Sequence, residues 1–456
     1  MQARSATETF TIAPRRSATK LLSTSETAQC GPRRLVVLSV IALSLFLICH
    51  PSLEAYSVLS HEAIIDTVWA TDILPLLKQR FPGATPEQLR EAHAYAYGGA
   101  IIQDLGYYPY GDKFFSDLAH YVRSGDFVSA MLRDAEDLNQ FAFALGSVSH
   151  YGADNEGHSL AVNRAVPLLY PNLKKKFGDN ITYEDNPVAH VKTEFGFDVL
   201  EVAKGRYAPD DYRDFIGFEV AAPLLARAFK DTYGLELSSV LHDEPKALGS
   251  YRHAVSKIIP KATRVAWQLK KDSIENDMPG TTRRKFLYNL SRASYERKWG
   301  KDYRKATAGE KVLAFLLRLI PKVGPLKVLA FRTPTPETEQ LFQASFNAAV
   351  DRYRSALRQL RTGPLPLAND NLDVGKATPA GQYRLNDRAY TELLHRLATQ
   401  NFYGLPPALE TDIETYFATA QPPSKGKKEQ REWSRTQLEL TQLKSSQSTP
   451  ASNPDQ

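Results

Sequence analysis

The sequence predicts an all-α protein, and three observations support this prediction. Apolar residues recur every three or four positions, as at Leu138, Phe141 and Leu145, which is the spacing of one face of a helix. Helix starts carry capping signals, as in Thr85-Pro86-Glu87, where an N-cap residue, a first-turn proline and an early acid follow one another. Sustained strand alternation is nearly absent. We therefore expect a multi-helix fold through most of the chain.

Helices are predicted wherever this spacing persists. In the first part of the chain they are Ser60–Gln79, Thr85–Gln103, Phe127–His150, His158–Leu169, Pro187–Lys204 and Phe215–Tyr233. In the second part they are Phe286–Lys298, Gly309–Ile320, Pro336–Leu360 and Asp387–Gln400. A stretch rich in Pro, Gly, Asn and Asp, about 363–380, predicts a linker. No internal repeat is visible.

Four segments are predicted from this organisation. Residues 1–55 form a signal peptide or N-terminal anchor, and residues 56–272 form a helical domain. A helical C-terminal region follows over 273–420, because the breaker residues near Asp277-Met278-Pro279-Gly280 mark a boundary. Residues 421–456 are polar, with Lys, Gln, Ser and Pro prominent, and predict a disordered tail.

The N-terminal segment has the pattern of a secretory signal. Arg33 and Arg34 precede about 15 residues without a charge, Leu35–Cys49, and a small residue, Ala55, follows. This run is short for a comfortable membrane span. We expect cleavage between Ala55 and Tyr56 and a secreted, periplasmic or envelope location; an uncleaved membrane anchor is the alternative.

Composition restricts the partners and the metal chemistry. The chain has 456 residues, 43% hydrophobic and 24% charged, as globular proteins do. Its formal net charge is +6, and half of that surplus lies in residues 1–55, so a nucleic-acid partner is not indicated. Both cysteines, Cys30 and Cys49, precede residue 56. Any metal bound further along must be held by His, Asp, Glu and backbone groups.

Histidines and carboxylates recur at the spacing of metal ligands. His150, Asp154 and His158 follow one another at intervals of four, and His190 and Glu194 repeat that interval. On a helix, residues four apart lie on one face with their Cβ atoms about 6 Å apart. Neighbouring side chains of this kind can share one ion or hold two adjacent ions.

Three further residues extend this pattern upstream. Asp104 lies where a predicted helix meets a loop, His120 follows it, and His61 lies just after the expected cleavage site. A single His-x-x-x-Asp pair is a weak signal, since many helix surfaces carry one. Two such pairs, one of them extended by a third ligand, predict a metal centre, and zinc accepts imidazole and carboxylate together.

The ordered motifs resemble the zinc-dependent phospholipase C family. The resemblance rests on Asp104-Leu-Gly-Tyr-Tyr-Pro, on His150-Tyr-Gly-Ala-Asp154-Asn-Glu-Gly-His158-Ser-Leu, and on His190-x-x-x-Glu194-Phe-Gly-Phe-Asp-Val-Leu, and covers roughly residues 56–272. The family includes secreted bacterial phospholipases C and the N-terminal domain of GPI-specific phospholipase D. The chain is also distantly similar to single-strand-specific fungal and plant nucleases.

The resemblance implies an all-helical domain with three zinc ions. By position, the first ion would be held by Asp104, His120, His150 and Asp154, and the second by His158, His190 and Glu194. The third would be held by His61, by Asp154 as a bridge, and by the amine and carbonyl of the mature first residue, Tyr56. Family members often begin with Trp, so Tyr56 departs from the pattern. The interval between Asp154 and His158 matches the GPI-specific branch better than the classical secreted enzymes.

The resemblance also implies hydrolysis of phosphodiesters, most specifically phospholipase C-type cleavage of phospholipids. Asp104 is a candidate general base, although a zinc-bound carboxylate is a poor base and ligation is our first assignment. The loop after Asp104 contains five aromatic residues that either line the substrate mouth or pack on the helical core: Tyr107, Tyr108, Tyr110, Phe114 and Phe115.

Two other functions stay open at this stage. One is a single-strand nuclease or nucleotidase that uses the same zinc cluster, and the other is a non-catalytic, metal-stabilised envelope protein. The apolar and basic segment 311–332 either contacts a membrane surface or is buried in a helical hairpin. No protein partner can be inferred from the sequence.

Overall fold

The structure is a computed structural model and describes residues 58–204, 218–259, parts of 262–270, 329–423 and 426–446. Within these residues the regular structure is helical, apart from one isolated antiparallel bridge between Asn371 and Lys376. The predicted all-α fold is therefore confirmed. None of the helices in the described ranges is both long and apolar enough to cross a membrane.

Twelve labelled helices lie in the part of the chain described up to residue 270. They are α1 Val58–Val68, α2 Leu74–Arg80, α3 Pro86–Gly99, α4 Lys113–Tyr121, α5 Ser124–Asp134, α6 Leu138–Gly157, α7 Asn163–Leu169, α8 Pro171–Phe177, α9 Pro187–Ala203, α10 Ala222–Tyr233, α11 Leu237–Val240 and α12 Glu244–His253. A 3₁₀ turn, Ile102–Tyr107, connects α3 to the loop that precedes α4.

Four helices follow residue 329 in the described ranges. They are α13 Pro336–Leu360, α14 Arg384–Thr399, α15 Pro407–Ala418 and α16 Lys427–Ser446. The predicted bounds of α13 are confirmed, and α14 begins three residues before its predicted start. The predicted helices Phe286–Lys298 and Gly309–Ile320, and all but the last residues of the segment 311–332, lie outside the described residues.

Wider, π-helical turns occur within one predicted helix, Ser60–Gln79, and at the start of another, His158–Leu169. The first turn, Trp69–Ile73, follows α1 directly, and the Leu74 amide donates to the carbonyl of Trp69, five residues back. Pro75, just after it, has no amide hydrogen, so the regular ladder cannot continue there. The second turn, His158–Val162, continues α6 directly into α7. Turns of this kind often occur at functional sites, and this one begins at a predicted metal ligand.

The helices α3 and α6 cross in direct backbone contact. A Cβ atom on Gly99 would lie 1.9 Å from the carbonyl oxygen of Phe143, and one on Gly146 would lie 2.1 Å from that of Ala96. Any side chain at these positions would separate the helices. The crossing also brings the end of α3 next to His150, which α6 carries on its buried face.

The described residues after 329 share the same hydrophobic core as those before 270. One continuous cluster of buried apolar side chains extends from Val58 on α1 to Leu443 on α16. Within it, α13 packs along α6, and α14 packs against α4. The boundary at 272/273 stays a prediction, but these two parts of the chain are joined by a common core.

The predicted disordered tail is wrong for Lys427–Ser446, which forms α16. This helix packs on α14 through a narrow face that includes the buried residues Thr436, Glu439 and Leu443. Glu439 pairs with His395 of α14 at 2.8 Å. The overall polarity of the segment concealed this stripe, because the rest of the helix is largely exposed.

Candidate metal centre

The structure brings together the eight described residues that were predicted as metal ligands. Four helices, one 3₁₀ turn and one π-helical turn meet at this point, although the residues are scattered along the sequence. All eight side chains are buried: His61 on α1, Asp104 on the 3₁₀ turn, His120 on α4, His150 and Asp154 on α6, His158 on the following π-helical turn, and His190 and Glu194 on α9. Since α6 supplies two of the residues and continues into the turn that bears a third, three of the eight lie along one helical path. Tyr56 lies outside the described residues.

The ligand atoms form three overlapping or adjacent groups. In each group one atom per residue lies within 4.8 Å of the others, and the groups are His61, His150 and Asp154; Asp104, His120 and His150; and His158, His190 and Glu194. The third group has the same members as the predicted second zinc site. The first two share His150, and both also lie around the carboxylate of Asp154.

Asp154 is the centre of the first two groups. Its Oδ2 atom lies 3.0 Å from Nε2 of His150 and 3.3 Å from Nε2 of His120. Its Oδ1 atom lies 3.5 Å from Nε2 of His61. Asp104 approaches the same His120 nitrogen at 3.3 Å. The two oxygens of Asp154 thus face different imidazoles, as a bridging ligand requires.

The third group is built by α9 and the start of the π-helical turn after α6. Glu194 Oε1 lies 2.9 Å from Nδ1 of His190 and 3.5 Å from Nε2 of His158. The two imidazole rings stand nearly edge-on, with centroids 5.1 Å apart. Asn186 caps α9 by accepting a hydrogen bond from the Ala189 amide, which fixes the start of the helix about one turn before His190 and two turns before Glu194.

Backbone carbonyls set the proton positions on three of these imidazoles. Nδ1 of His150, His120 and His158 lies 3.0, 2.8 and 3.2 Å from the carbonyl oxygens of Ala100, Ser116 and Leu372, respectively. A carbonyl oxygen only accepts, so each Nδ1 must carry the hydrogen. In the neutral ring, the Nε2 lone pair is then directed into the cluster.

In this cluster, hydrogen-bond acceptors therefore face other hydrogen-bond acceptors. Neutral His150 has a lone pair on Nε2, and this lone pair faces a carboxylate oxygen at 3.0 Å. Among the described residues, several buried atoms here lack a partner with hydrogen-bond geometry: Asp104 Oδ1, Asp154 Oδ1 and Oδ2, His158 Nε2, His190 Nδ1, and Glu194 Oε1 and Oε2. Buried polar atoms normally have a partner, and each one without a partner costs about 1–3 kcal/mol. A cation between them would satisfy them, and neutral imidazoles with carboxylates form a donor set that zinc accepts.

The electrostatics of the cluster favour positive charge. Burial alone would lower the pKa of His120, but its contacts with Asp104 and Asp154 prevail and raise that pKa to about 10. Burial and the neighbouring His150 lower the pKa of His61 well below its ordinary value. The pKa of the Asp154 carboxyl lies well below its usual range because His150 and His158 outweigh the effect of burial. Asp154 is therefore a charged carboxylate surrounded by imidazoles.

A small cleft of about 190 Å³ opens onto this cluster. Three tyrosines line it, Tyr107, Tyr121 and Tyr183. The rest of its wall is formed by Asp373 and by three of the predicted ligands, His120, His158 and His190. The ammonium group of Lys113 lies 5.4 Å from the ring centre of Tyr107 and 5.7 Å from that of Tyr183. Cation–π contacts of this kind place a positive charge beside the cleft.

Most of the aromatic residues after Asp104 pack in the core. Tyr108 stands edge-on to Tyr251, and Phe115 stacks on Phe229, with ring centres 5.3 and 5.5 Å apart. Tyr107, in contrast, lines the cleft. Both predicted roles therefore occur in this loop: Tyr108 and Phe115 pack in the core, and Tyr107 lines the cleft.

Sequence reasoning missed two residues that hold the imidazoles of the third group. Asp373 Oδ1 lies 3.1 Å from Nδ1 of His158, and Asn163 Oδ1 lies 3.0 Å from Nε2 of His190. Asn163 lies in the predicted helix His158–Leu169, but no sequence pattern predicted a role for it. Asp373 lies in the stretch that was predicted as a linker, and the turn-forming residues around it were the only signal that it carried.

Comparison with known proteins identifies the class. Residues 60–243 match the family model described as zinc dependent phospholipase C, and this part of the chain belongs to that family. The match includes the eight described residues of the cluster. Comparison with curated proteins and with solved structures gives no significant match. Family membership and the buried His, Asp and Glu groups together support zinc-dependent phosphodiester hydrolysis.

Proposed function

We propose that this protein is a zinc-dependent phospholipase C, which cleaves phospholipids on the glycerol side of the phosphate. The observation that carries the proposal is the set of buried imidazole and carboxylate atoms that face each other at 2.9–3.5 Å within the family-matched residues. These atoms have the chemistry of a divalent-cation site. In the proposed reaction, water adds to phosphorus and the bond to the glycerol oxygen breaks, which gives diacylglycerol and a phosphorylated headgroup.

The proposed centre holds three zinc ions. Asp104, His120 and His150 would hold the first together with Asp154, and His158, His190 and Glu194 would hold the second. His61 and Asp154 would hold the third with the terminal amine and carbonyl of Tyr56. Leu59 and Ser60, which follow Tyr56 closely, are fixed by hydrogen bonds to Asp198 at 3.0 and 2.8 Å. This capping holds the start of α1 in place beside His61.

Zinc, when bound, lowers the pKa of a coordinated water toward neutrality and offsets the charge of a phosphodiester. The chain supplies the surroundings for this chemistry. The carboxylate of Asp104, beside His120, is held as a ligand and is the candidate acceptor for a proton from the attacking water. The tyrosines of the cleft narrow the approach and limit the access of bulk water.

The dimensions of the cleft support a substrate that is only partly enclosed. The space of about 190 Å³ includes open solvent at the mouth of the cleft, so the part that is enclosed by protein is smaller still. A phosphate group can approach the cluster, whereas acyl chains would remain outside, in a membrane or micelle. The modest net charge of +6 on 456 residues gives little support to a nucleic-acid substrate.

We also propose that the protein is exported and that its signal is removed before Tyr56. In this proposal, export has a chemical role, because cleavage creates the amine that completes the third zinc site. Protein that begins at Tyr56 should then bind more zinc than protein that carries additional residues before it. Equal zinc content in the two forms would contradict this role for Tyr56.

The central experiment measures product release from phosphatidylcholine micelles by zinc-loaded protein that begins at Tyr56. We expect diacylglycerol as the lipid product and loss of activity in Asp154→Asn or after chelation. Asp66→Asn is the matched control, because Asp66 is also a buried carboxylate, 3.2 Å from a histidine, but outside the predicted ligands. It should remain active.

Other products would assign a different function. Phosphatidic acid would indicate cleavage on the headgroup side of the phosphate. Nucleotides released from single-stranded DNA or RNA, without lipid hydrolysis, would favour a nuclease. Full zinc occupancy without hydrolysis of any of these phosphodiesters would favour a non-catalytic, metal-stabilised protein.

A further inference from the structure

The third group of the candidate metal centre is held from outside the family-matched residues by a segment that we name the strap, residues 367–378. It is anchored along its length to the matched domain. Ala368 O accepts a hydrogen bond from Tyr151 at 2.8 Å, and Asp370 O accepts one from Ser124 at 2.5 Å. The amide of Leu372 donates to the carbonyl of His120 at 3.0 Å.

A tight turn in the strap directs Asp373 toward the centre. The Asn371 side chain accepts from the Asp373 amide at 3.0 Å, and the Asn371 carbonyl accepts from the Gly375 amide at 2.9 Å. Gly375 has a φ of +72°, and a Cβ atom there would lie 2.8 Å from the carbonyl of Asn155. This close approach to α6 allows the turn to lie directly over the beginning of the π-helical turn.

Both oxygens of Asp373 are occupied. Oδ1 lies 3.1 Å from Nδ1 of His158, the nitrogen that also lies 3.2 Å from the Leu372 carbonyl. Oδ2 accepts hydrogen bonds from the hydroxyls of Tyr121, at 3.0 Å, and Tyr383. The Asp373 carboxylate is buried and faces the side of His158 opposite the cluster. Its geometry is that of a residue that orients a ligand, and not that of a ligand.

The strap also acts on His190, through Asn163. The Asp373 carbonyl accepts a hydrogen bond from the Asn163 side chain at 2.6 Å, so Nδ2 of that amide faces the strap. Oδ1 of Asn163 is then the atom that faces Nε2 of His190, at 3.0 Å. An amide oxygen only accepts, so Nε2 carries the hydrogen and Nδ1 of His190 faces Glu194.

We propose that Asp373 is a positioning residue for the second zinc ion, and that the strap completes a metal site whose ligands all lie within residues 60–243. Its side chain holds His158 with Nε2 directed inward, and its carbonyl, through Asn163, holds His190 with Nδ1 directed inward. The two histidines therefore bind metal through different nitrogens. The inference rests on the proposed zinc site but does not depend on which phosphodiester is cleaved.

The expected size of the effect follows from the chemistry of such contacts. A carboxylate that accepts the second ring hydrogen of a metal-bound histidine fixes the ring and makes it a stronger donor, and its loss typically reduces metal affinity or activity by about 10–100-fold. Asp373→Asn keeps the shape and one acceptor oxygen but removes the charge. We expect weaker zinc binding at His158, His190 and Glu194.

The test compares Asp373→Asn with Asp370→Asn. Asp370 lies on the same strap and accepts from the Tyr151 hydroxyl at 3.0 Å, but it touches none of the eight clustered residues in the described contacts. Zinc affinity is measured by competition with a chromophoric chelator, and the coordination is followed by the visible absorption of cobalt(II)-loaded protein. Asp373→Asn should weaken one site by about 10–100-fold and alter the cobalt spectrum, whereas Asp370→Asn should do neither.

Equal zinc affinity and an unchanged cobalt spectrum in wild type and Asp373→Asn would overturn the proposal. Both readouts are independent of turnover, so an inactive wild type that binds zinc normally would contradict the proposed function alone. If Asp373→Asn does not fold, nitrogen-15 histidine spectra of the zinc-loaded wild type decide. They should show the hydrogen on Nδ1 of His158 and on Nε2 of His190, and the opposite assignment for either ring would overturn the proposal.

Discussion

Nε2 of His150 lies 3.0 Å from Oδ2 of Asp154, one turn further along α6, and the hydrogen of the imidazole is held on its other side by the Ala100 carbonyl. Two acceptors at this distance repel each other unless a proton or a metal ion lies between them. These two side chains of α6 therefore attract each other only when a positive charge lies between them. This relationship makes metal content a determinant of stability as well as of activity.

Removal of metal is expected to destabilise the protein. A ligand that binds only the folded state stabilises it by about 2.7 kcal/mol when its free concentration is a hundredfold above its Kd. Zinc-loaded protein should therefore melt several degrees above chelator-treated protein, as measured by scanning calorimetry. Asp66→Asn should show the same difference as wild type, since Asp66 pairs with His93 and Tyr97 away from the cluster. A melting temperature that does not respond to chelation would contradict a metal centre here.

Two carboxylate variants should differ in how much zinc they lose. Among the described ligands, Glu194 faces His158 and His190 of the third group, so Glu194→Gln should remove one equivalent of zinc. Asp154 faces His150 and His120 through one oxygen and His61 through the other, so Asp154→Asn should remove more than one. Elemental analysis of the dialysed proteins measures this. Equal losses in the two variants would argue against a bridging role for Asp154.

The parts of the site that the sequence could predict are those with local spacing. His150 and Asp154 are four residues apart on one helix, and so are His190 and Glu194, so their convergence follows from helical geometry once a helix is predicted. Asp373 could not be found in this way, because it is further from its partner His158 along the sequence than the whole length of the matched range 60–243. Its carboxylate also lies in a turn whose composition is typical of a linker. Similarly, His93 has no carboxylate four residues before or after it in sequence, but Asp66 of α1 lies 3.2 Å away across the helix interface.

The predicted helices failed mainly at their ends and junctions. Phe127–His150 was predicted as one helix, but Asp137 caps a new helix by accepting from the Gln140 amide at 2.8 Å, which separates α5 from α6. An aspartate can either cap a helix or lie exposed within one, and the choice depends on tertiary packing. The helix α16 shows the converse error, since an apolar face only a few residues wide was outweighed by its polar surroundings.

The glycines of the α3–α6 crossing give a stability prediction. Gly146→Ala would place a methyl group 2.1 Å from the Ala96 carbonyl, and relief of this clash requires the two helices to separate. Overpacking of this kind typically costs about 1–3 kcal/mol. The change should also weaken zinc binding, because α6 carries His150 and Asp154. Urea denaturation measures the free energy of unfolding.

Gly249→Ala is the matched control for that substitution. Gly249 also lies within a helix, α12, but nothing lies within 4 Å of a Cβ atom placed there. Since alanine favours helix by about 1 kcal/mol over glycine, this variant should be slightly more stable than wild type. Similar behaviour of the two variants would show that close backbone contact at Gly146 does not determine the crossing.

Zinc binding is expected to release a proton from His120. In the metal-free fold the pKa of this imidazole is about 10, because Asp104 and Asp154 outweigh the effect of burial, against an ordinary value of about 6.5. The folded-state pKa is raised, so the stability that the charged ring contributes is present below about pH 6.5 and is lost as the pH rises toward 10. Near pH 8 the ring is therefore protonated before zinc binds and must be neutral afterwards. Titration calorimetry in two buffers of different ionisation enthalpy measures the protons released. His120→Gln should release fewer protons than wild type, and equal release from the two proteins would assign the displaced proton to another group.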